Sequence, residues 1–227
     1  MKKWVVANWK MNGSLQLLQD YQQAFGNSEN LIVCPPTVYL NQSTMLTLGA
    51  QNINEHPKGA FTGEISASML ADVGIKYCLV GHSERRQHFG EANDLVREKA
   101  ELCLGNSITP IICIGETLEQ YQAGKTLEIL RTQLKECLPD SKDLWVAYEP
   151  VWAIGTGLTP TTEEILSTHA FLREKLSTVT LLYGGSVNEN NAESILGIPN
   201  VDGVLVGGAC LDIDKIQLIY QTSASAN

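Results

Sequence analysis

The sequence predicts a closed parallel α/β barrel, (β/α)8, folded as a single domain. Three observations predict it. Short β-rich apolar runs recur eight times along the 227 residues, and a stretch of helical composition or spacing follows each run. The runs are apolar on both faces, as strands buried beneath helices should be. No G-x-G-x-x-G turn follows the first run, which argues against an open dinucleotide-binding sheet.

The first strand is expected at 4–7, followed by a helix over 14–25 that opens at Ser14. A second strand at 31–34 leads to a helix over 38–46, and a third at 48–51 to a helix over 65–73. The strand at 77–80 is followed by the polar run Gly81 to Arg86 and a helix over 91–104. Strands at 110–114 and 144–148 precede helices over 118–137 and 162–176, the latter opening at Thr162. Strands at 180–183 and 203–206, with helices over 191–196 and 214–221, complete eight units. No linker, charge block or shift in composition marks a second domain, so the barrel is expected over 1–221 and a frayed tail over 222–227.

A formal charge of −9, from 16 Lys+Arg against 25 Asp+Glu, excludes a basic nucleic-acid binder. Six cysteines (34, 78, 103, 113, 137 and 210) lie mostly in apolar runs without a C-x-x-C pair. Buried reduced thiols in a cytoplasmic protein explain them better than disulfides or zinc. The apolar stretch after Met1-Lys2-Lys3 is cut by Asn8 and Lys10, so neither a secretion signal nor a membrane span is expected.

In a closed barrel every strand's C-terminal end points to one face, so residues just beyond the strands converge. Those exits carry Asn8 and Lys10, His82 and Glu84, Glu149, Gly184-Gly185-Ser186, and Gly207-Gly208. A base, an imidazole, a fixed cation and two glycine-rich turns suit proton transfer on a small phosphorylated molecule. Pro150 bars helical continuation of Glu149 and stiffens the start of 151–160, a loop with Val151, Trp152 and Ile154 beside Gly155-Thr156-Gly157. Apolar side chains in such a loop have the composition of a lid. Ser83 is expected to cap a short helix whose positive end keeps His82 neutral, a hydrogen-bond donor to a carbonyl oxygen. The glycine pairs at the last two strand exits fit the phosphate cradle of this architecture.

Asn8-Trp9-Lys10-Met11-Asn12, the run Val80 to Arg86, the run Tyr148 to Gly157, and Tyr183-Gly184-Gly185-Ser186 together resemble the triosephosphate isomerase family. Gly49 to Asn52, Gly59 to Glu64 and Cys113 to Glu116 resemble it too, so the likeness spans nearly the whole chain. It implies a TIM barrel that interconverts dihydroxyacetone phosphate and D-glyceraldehyde 3-phosphate through an enediolate, in glycolysis and gluconeogenesis, with neither metal nor cofactor. Glu149 is then the base, His82 the electrophile, Lys10 the stabiliser of negative charge and Asn8 an orienting group. The resemblance likewise implies a neutral imidazole in that role. Gly155, Ser186, Gly207 and Gly208 would hold the phosphate through backbone amides, and 151–160 would close over it. The resemblance further implies a homodimer in which Thr62, at the tip of the segment from Asn54 to Glu64, enters the partner's site, where Glu64 and Arg85 help to hold it. The lid departs from the family pattern at Leu158 and Pro160, where a lysine and an alanine are common. A catalytically inactive barrel binding a phosphorylated metabolite, or another sugar-phosphate isomerase or epimerase, are the competing readings. The joint presence of Glu149, His82 and Lys10 favours the isomerase that the resemblance implies over both.

Overall fold

In the computed structural model, which describes residues 2–26, 28–42, 44–156 and 158–225, the eight apolar runs are strands. They are β1 (Trp4–Asn8), β2 (Leu31–Cys34), β3 (Thr47–Ala50), β4 (Tyr77–Val80), β5 (Thr109–Ile114), β6 (Trp145–Tyr148), β7 (Thr180–Tyr183) and β8 (Gly203–Val206). Each pairs in parallel with the next and β8 returns to β1, closing the barrel. The closing register sets Trp4 opposite Gly203 and Ala7 opposite Val206. A Cβ at position 203 would run into the Trp4 carbonyl, so glycine is what lets the last strand approach the first.

Side chains alternate along each strand, and here both faces are covered. Val6, Ile32, Leu79, Ile111, Ala147, Leu182 and Leu205 pack with one another inside the barrel. Trp4, Tyr77 and Trp145 close its N-terminal mouth, with ring centroids 4.8 to 6.4 Å apart. Val5, Ala7, Val33, Val80 and Val146 belong instead to the layer shared with the helices. Those helices are α1 (Leu15–Phe25), α2 (Ala67–Asp72), α3 (Ser83–Phe89), α4 (Asn93–Gly105), α5 (Leu118–Gln122), α6 (Thr126–Cys137), α7 (Thr162–Lys175), α8 (Ala192–Leu196) and α9 (Ile213–Ser225). Ser14 caps α1 by accepting from the Leu17 N–H, and Leu18, Tyr21 and Phe25 form its buried stripe. Among the described residues no helix is long and apolar enough to cross a membrane. All six cysteines are buried and free.

The structure corrects four expectations. The helix expected over 38–46 is a single 3-10 turn, Thr37–Tyr39. Beyond it the Thr44 hydroxyl and the Met45 N–H bond to Gln22 Oε1 on α1, giving the backbone an alternative to helix; Ser43 lies outside the described residues. The helix expected over 118–137 is two, α5 and α6, separated where Gly124 takes φ +68°. The short helix after β4 is capped by His82 rather than by Ser83, which is its first residue. The tail expected to fray from 222 instead continues α9 to Ser225. Ser223 is buried, its carbonyl accepting from the Lys3 N–H and its hydroxyl from Asn30. Ala226 and Asn227 lie outside the described residues.

Candidate active site

The C-terminal strand ends bring the polar residues together, beginning with β1. Asn8 Oδ1 accepts the Lys10 N–H at 3.0 Å, and the Gln51 amide donates to the Lys10 carbonyl at 2.8 Å. Between these two ties Lys10 takes φ +54°, a conformation costing a non-glycine residue about 1–2 kcal/mol. The result is a lysine aimed across the barrel mouth, with Nζ 2.6 Å from Glu84 Oε1. Burial acts to raise the Glu84 carboxyl, but the bond to Lys10 and its charge overrule it and leave the group below the usual carboxylate range.

His82 leaves β4 as the N-cap of α3. Its Nδ1 accepts the Glu84 N–H at 3.2 Å, which a protonated Nδ1 could not do. The ring is therefore neutral, and the proton sits on Nε2. That nitrogen lies 3.1 Å from Glu149 Oε1, while Glu149 Oε2 accepts the Ser83 N–H at 3.0 Å. One short turn thus fixes the tautomer of the imidazole and the position of the carboxylate facing it. Glu149 is only 2 % exposed. The room it occupies depends on two glycines: a Cβ at Gly115 would overlap its carbonyl, and one at Gly184 would lie 3.0 Å from its Cγ.

After Pro150 the chain makes one 3-10 turn, Val151–Ala153. The Trp152 indole N–H donates to Glu116 Oε1 at 2.9 Å, and the Tyr148 hydroxyl donates to the same oxygen at 3.2 Å. Glu116 is fully buried, and burial pushes its carboxyl up despite these bonds. The tip of 151–160 faces solvent: Gly155 and Thr156 are exposed and Leu158 is 56 % exposed, while Gly157 lies outside the described residues. Ser186, beyond β7, donates its hydroxyl to the Ala153 carbonyl at 2.5 Å. Among the described residues no protein acceptor takes the N–H of Ser186, Gly207 or Gly208. A Cβ at Gly207 would meet Lys10 Cε at 3.4 Å, so the β8 exit lies beside the cation.

The segment 54–64 is tied at its base, where Asn54 donates to Glu64 Oε2 at 2.8 Å and to the Ile65 carbonyl at 2.9 Å. Thr62 is exposed and Phe61 is 44 % exposed, its ring stacked on His56. A cleft of about 480 Å³ lies between this base and the site, lined by Lys10, His82, Glu64 and Arg85 among others. Arg85 itself is engaged by buried Glu91, which Lys99 also contacts at 2.5 Å. Sequence reasoning assigned no role to Glu84, Gln51 or Glu116. Each acts through a partner distant in sequence, and no local pattern announces such a pairing.

The chain matches the family model described as triosephosphate isomerase over residues 3–223. It is 44 % identical over 234 residues to the triosephosphate isomerase of Albidiferax ferrireducens, covering 93 % of this chain and 95 % of that one. Similarity to the Rhizobium meliloti protein of the same name is 43 % over 241 residues, covering 96 % and 94 %. The crystal structure of triosephosphate isomerase from Bartonella henselae superposes with a TM-score of 0.90 at 33 % identity, over 98 % of this chain and 99 % of that one.

Proposed function

The chain belongs to the triosephosphate isomerase family, and from that premise we propose how its own residues interconvert dihydroxyacetone phosphate and D-glyceraldehyde 3-phosphate. The observation that carries the reading is the facing pair at the ends of β6 and β4, with Glu149 Oε1 3.1 Å from a neutral His82 Nε2–H. Glu149 removes a proton from the carbon beside the carbonyl, and His82 Nε2–H meets the carbonyl oxygen as negative charge gathers there. His82 gives its Nε2 proton to the former carbonyl oxygen and takes one from the neighbouring hydroxyl, and protonation of the former carbonyl carbon by the same carboxyl completes the exchange. Lys10, held beside the β8 exit, offsets the charge of the enediolate and phosphate, and Asn8 fixes the backbone that aims it. The N–H groups of Gly155, Ser186, Gly207 and Gly208 take the phosphate oxygens. Closure of 151–160 keeps water out and so limits loss of phosphate from the enediolate. The purified chain, assayed without added metal or cofactor, should form dihydroxyacetone phosphate from glyceraldehyde 3-phosphate in a coupled assay. Absence of turnover would sink the reading.

The phosphate cradle is tested at Gly208. A Cβ there meets nothing within 4 Å, so a larger side chain leaves the barrel intact while filling the space at the strand exit. Gly208→Val should raise KM and weaken inhibition by sulfate by about 10- to 100-fold, the weight of one charge-assisted hydrogen bond. Unchanged sulfate inhibition in the folded variant would place the anion elsewhere.

The reading includes a cytoplasmic homodimer. Six buried free thiols suit a reducing compartment. The partner's 54–64 segment would dock in the cleft beside Lys10 and His82, covering Phe61 and stiffening the cluster. Thr62→Arg places a charge where no partner awaits it, and is expected to give monomers with kcat lowered roughly tenfold or more. Light scattering of the active wild type at the monomer mass of 24.8 kDa would overturn the dimer.

A further inference from the structure

We propose that Tyr121 is a positioning residue for the lid, holding Trp152 in the open arrangement and so setting how readily 151–160 closes. The proposal rests on the isomerase reading above. Tyr121, near the end of α5, lays its ring on the Trp152 indole, with centroids 4.2 Å apart and planes 25° from parallel. The indole edge is held at the same time by Glu116 Oε1. Trp152 is therefore clamped on one face and at its N–H.

The other end of Tyr121 reaches the far side of the lid. Its hydroxyl donates to Glu164 Oε1 at 2.6 Å, while Glu164 Oε2 accepts the Thr161 N–H at 2.7 Å and the Thr161 hydroxyl at 3.0 Å. Thr161 is the N-cap of α7 and directly follows Pro160, where the lid ends. One side chain thus joins the tryptophan at the start of the lid to the cap that closes it. The tip is not independent of that tryptophan. Thr156 donates its hydroxyl to the Trp152 carbonyl at 2.9 Å and receives the Leu158 N–H at 3.2 Å, so the tip is hydrogen-bonded to the backbone of the residue that carries the indole.

Moving the tip inward draws Trp152 off the Tyr121 ring, and the stack then counts only in the open state. An interaction present in one state alone biases the equilibrium by its whole weight. For a stacked aromatic pair that is about two- to tenfold.

Tyr121→Ala tests this in the full-length protein, with 2-phosphoglycolate as an anionic probe resembling the enediolate. The probe should bind about two- to tenfold more tightly than to wild type. The 19F resonance of 5-fluorotryptophan at 152, assigned through Trp152→Phe, should move toward its probe-bound position before any probe is added. Tyr121→Phe keeps the ring and loses only the tie to Glu164, and should fall between wild type and Ala. A merely structural residue would weaken probe affinity when removed. Unchanged or weaker binding with an unmoved Trp152 resonance therefore overturns the proposal. If the Ala variant does not fold, the Phe variant decides, tighter binding supporting the proposal and equal binding overturning it. A wild-type chain that fails to isomerise its substrate refutes the functional reading. An active wild type with silent Tyr121 variants refutes only the role of Tyr121.

Discussion

Glu149→Gln should lower kcat by at least about 10²-fold while KM stays within a few-fold, because it removes the proposed base and keeps the side chain's shape. The geometry adds a second reason. Glu149 accepts from the Ser83 N–H through one oxygen, and its other oxygen faces the Nε2–H of His82. A glutamine can satisfy Ser83 with its oxygen only by turning its NH2 toward that imidazole N–H, setting two donors against each other. The histidine cannot escape by changing tautomer, since its Nδ1 is committed to accepting from the Glu84 N–H. The variant therefore loses the proposed base and is also mispaired with the imidazole. The phosphate grip proposed for Ser186, Gly207 and Gly208 does not involve the carboxylate, so affinity for 2-phosphoglycolate should change far less than turnover. Steady-state kinetics on the folded variant decides the matter. Turnover within a few-fold of wild type would remove Glu149 from the role of base.

The barrel was legible because burying a strand on both faces forces a continuous apolar run, and eight such runs leave little else to build. The five helices of eight residues or more were legible through composition and spacing, α6 only as part of a longer helix over 118–137. The expectation at 38–46 failed because a local apolar pattern said nothing of Gln22, whose side chain takes the hydroxyl and N–H donors of that stretch. The break at Gly124 was visible as a residue type, but not as a positive φ. Glu149, His82, Lys10 and Asn8 were legible as a set because closure makes strand exits converge, whatever their separation in the chain. Their supports were not. Glu84 opposite Lys10 and Glu116 beneath Trp152 are each a carboxylate two or more residues beyond a strand, like many that merely face solvent. Only the folded packing distinguishes them. The N-cap was misread for a related reason. Serine is the commoner cap, yet here the imidazole takes that position, so a single residue both ends the loop and presents a donor to the site.

That double duty makes His82→Gln the second variant with a large expected effect, a slowing of enolisation by about 10²-fold or more. In the native ring Nδ1 is fixed by the Glu84 N–H, so Nε2–H is a donor whose direction is set before substrate arrives. Preorganisation of this kind spares the transition state the cost of orienting a dipole as charge develops. A glutamine has a donor of similar reach but three free torsions, and nothing equivalent to Nδ1 holds it. The same change also removes the cap of α3, at a cost of about 0.5–2 kcal/mol in stability, which must be separated from the chemistry. His82→Asn provides that separation. Asparagine is a good cap, so thermal stability should return toward wild type, but its shorter carboxamide cannot put a donor where Nε2–H stood, and enolisation should stay slow. Exchange of the substrate's carbon-bound hydrogen with deuterated solvent reports enolisation directly in all three proteins. Equal exchange rates in wild type and His82→Gln would contradict the role of the imidazole. Slow exchange in both variants, with stability recovered only in His82→Asn, would assign the loss to the missing Nε2–H donor rather than to a frayed helix.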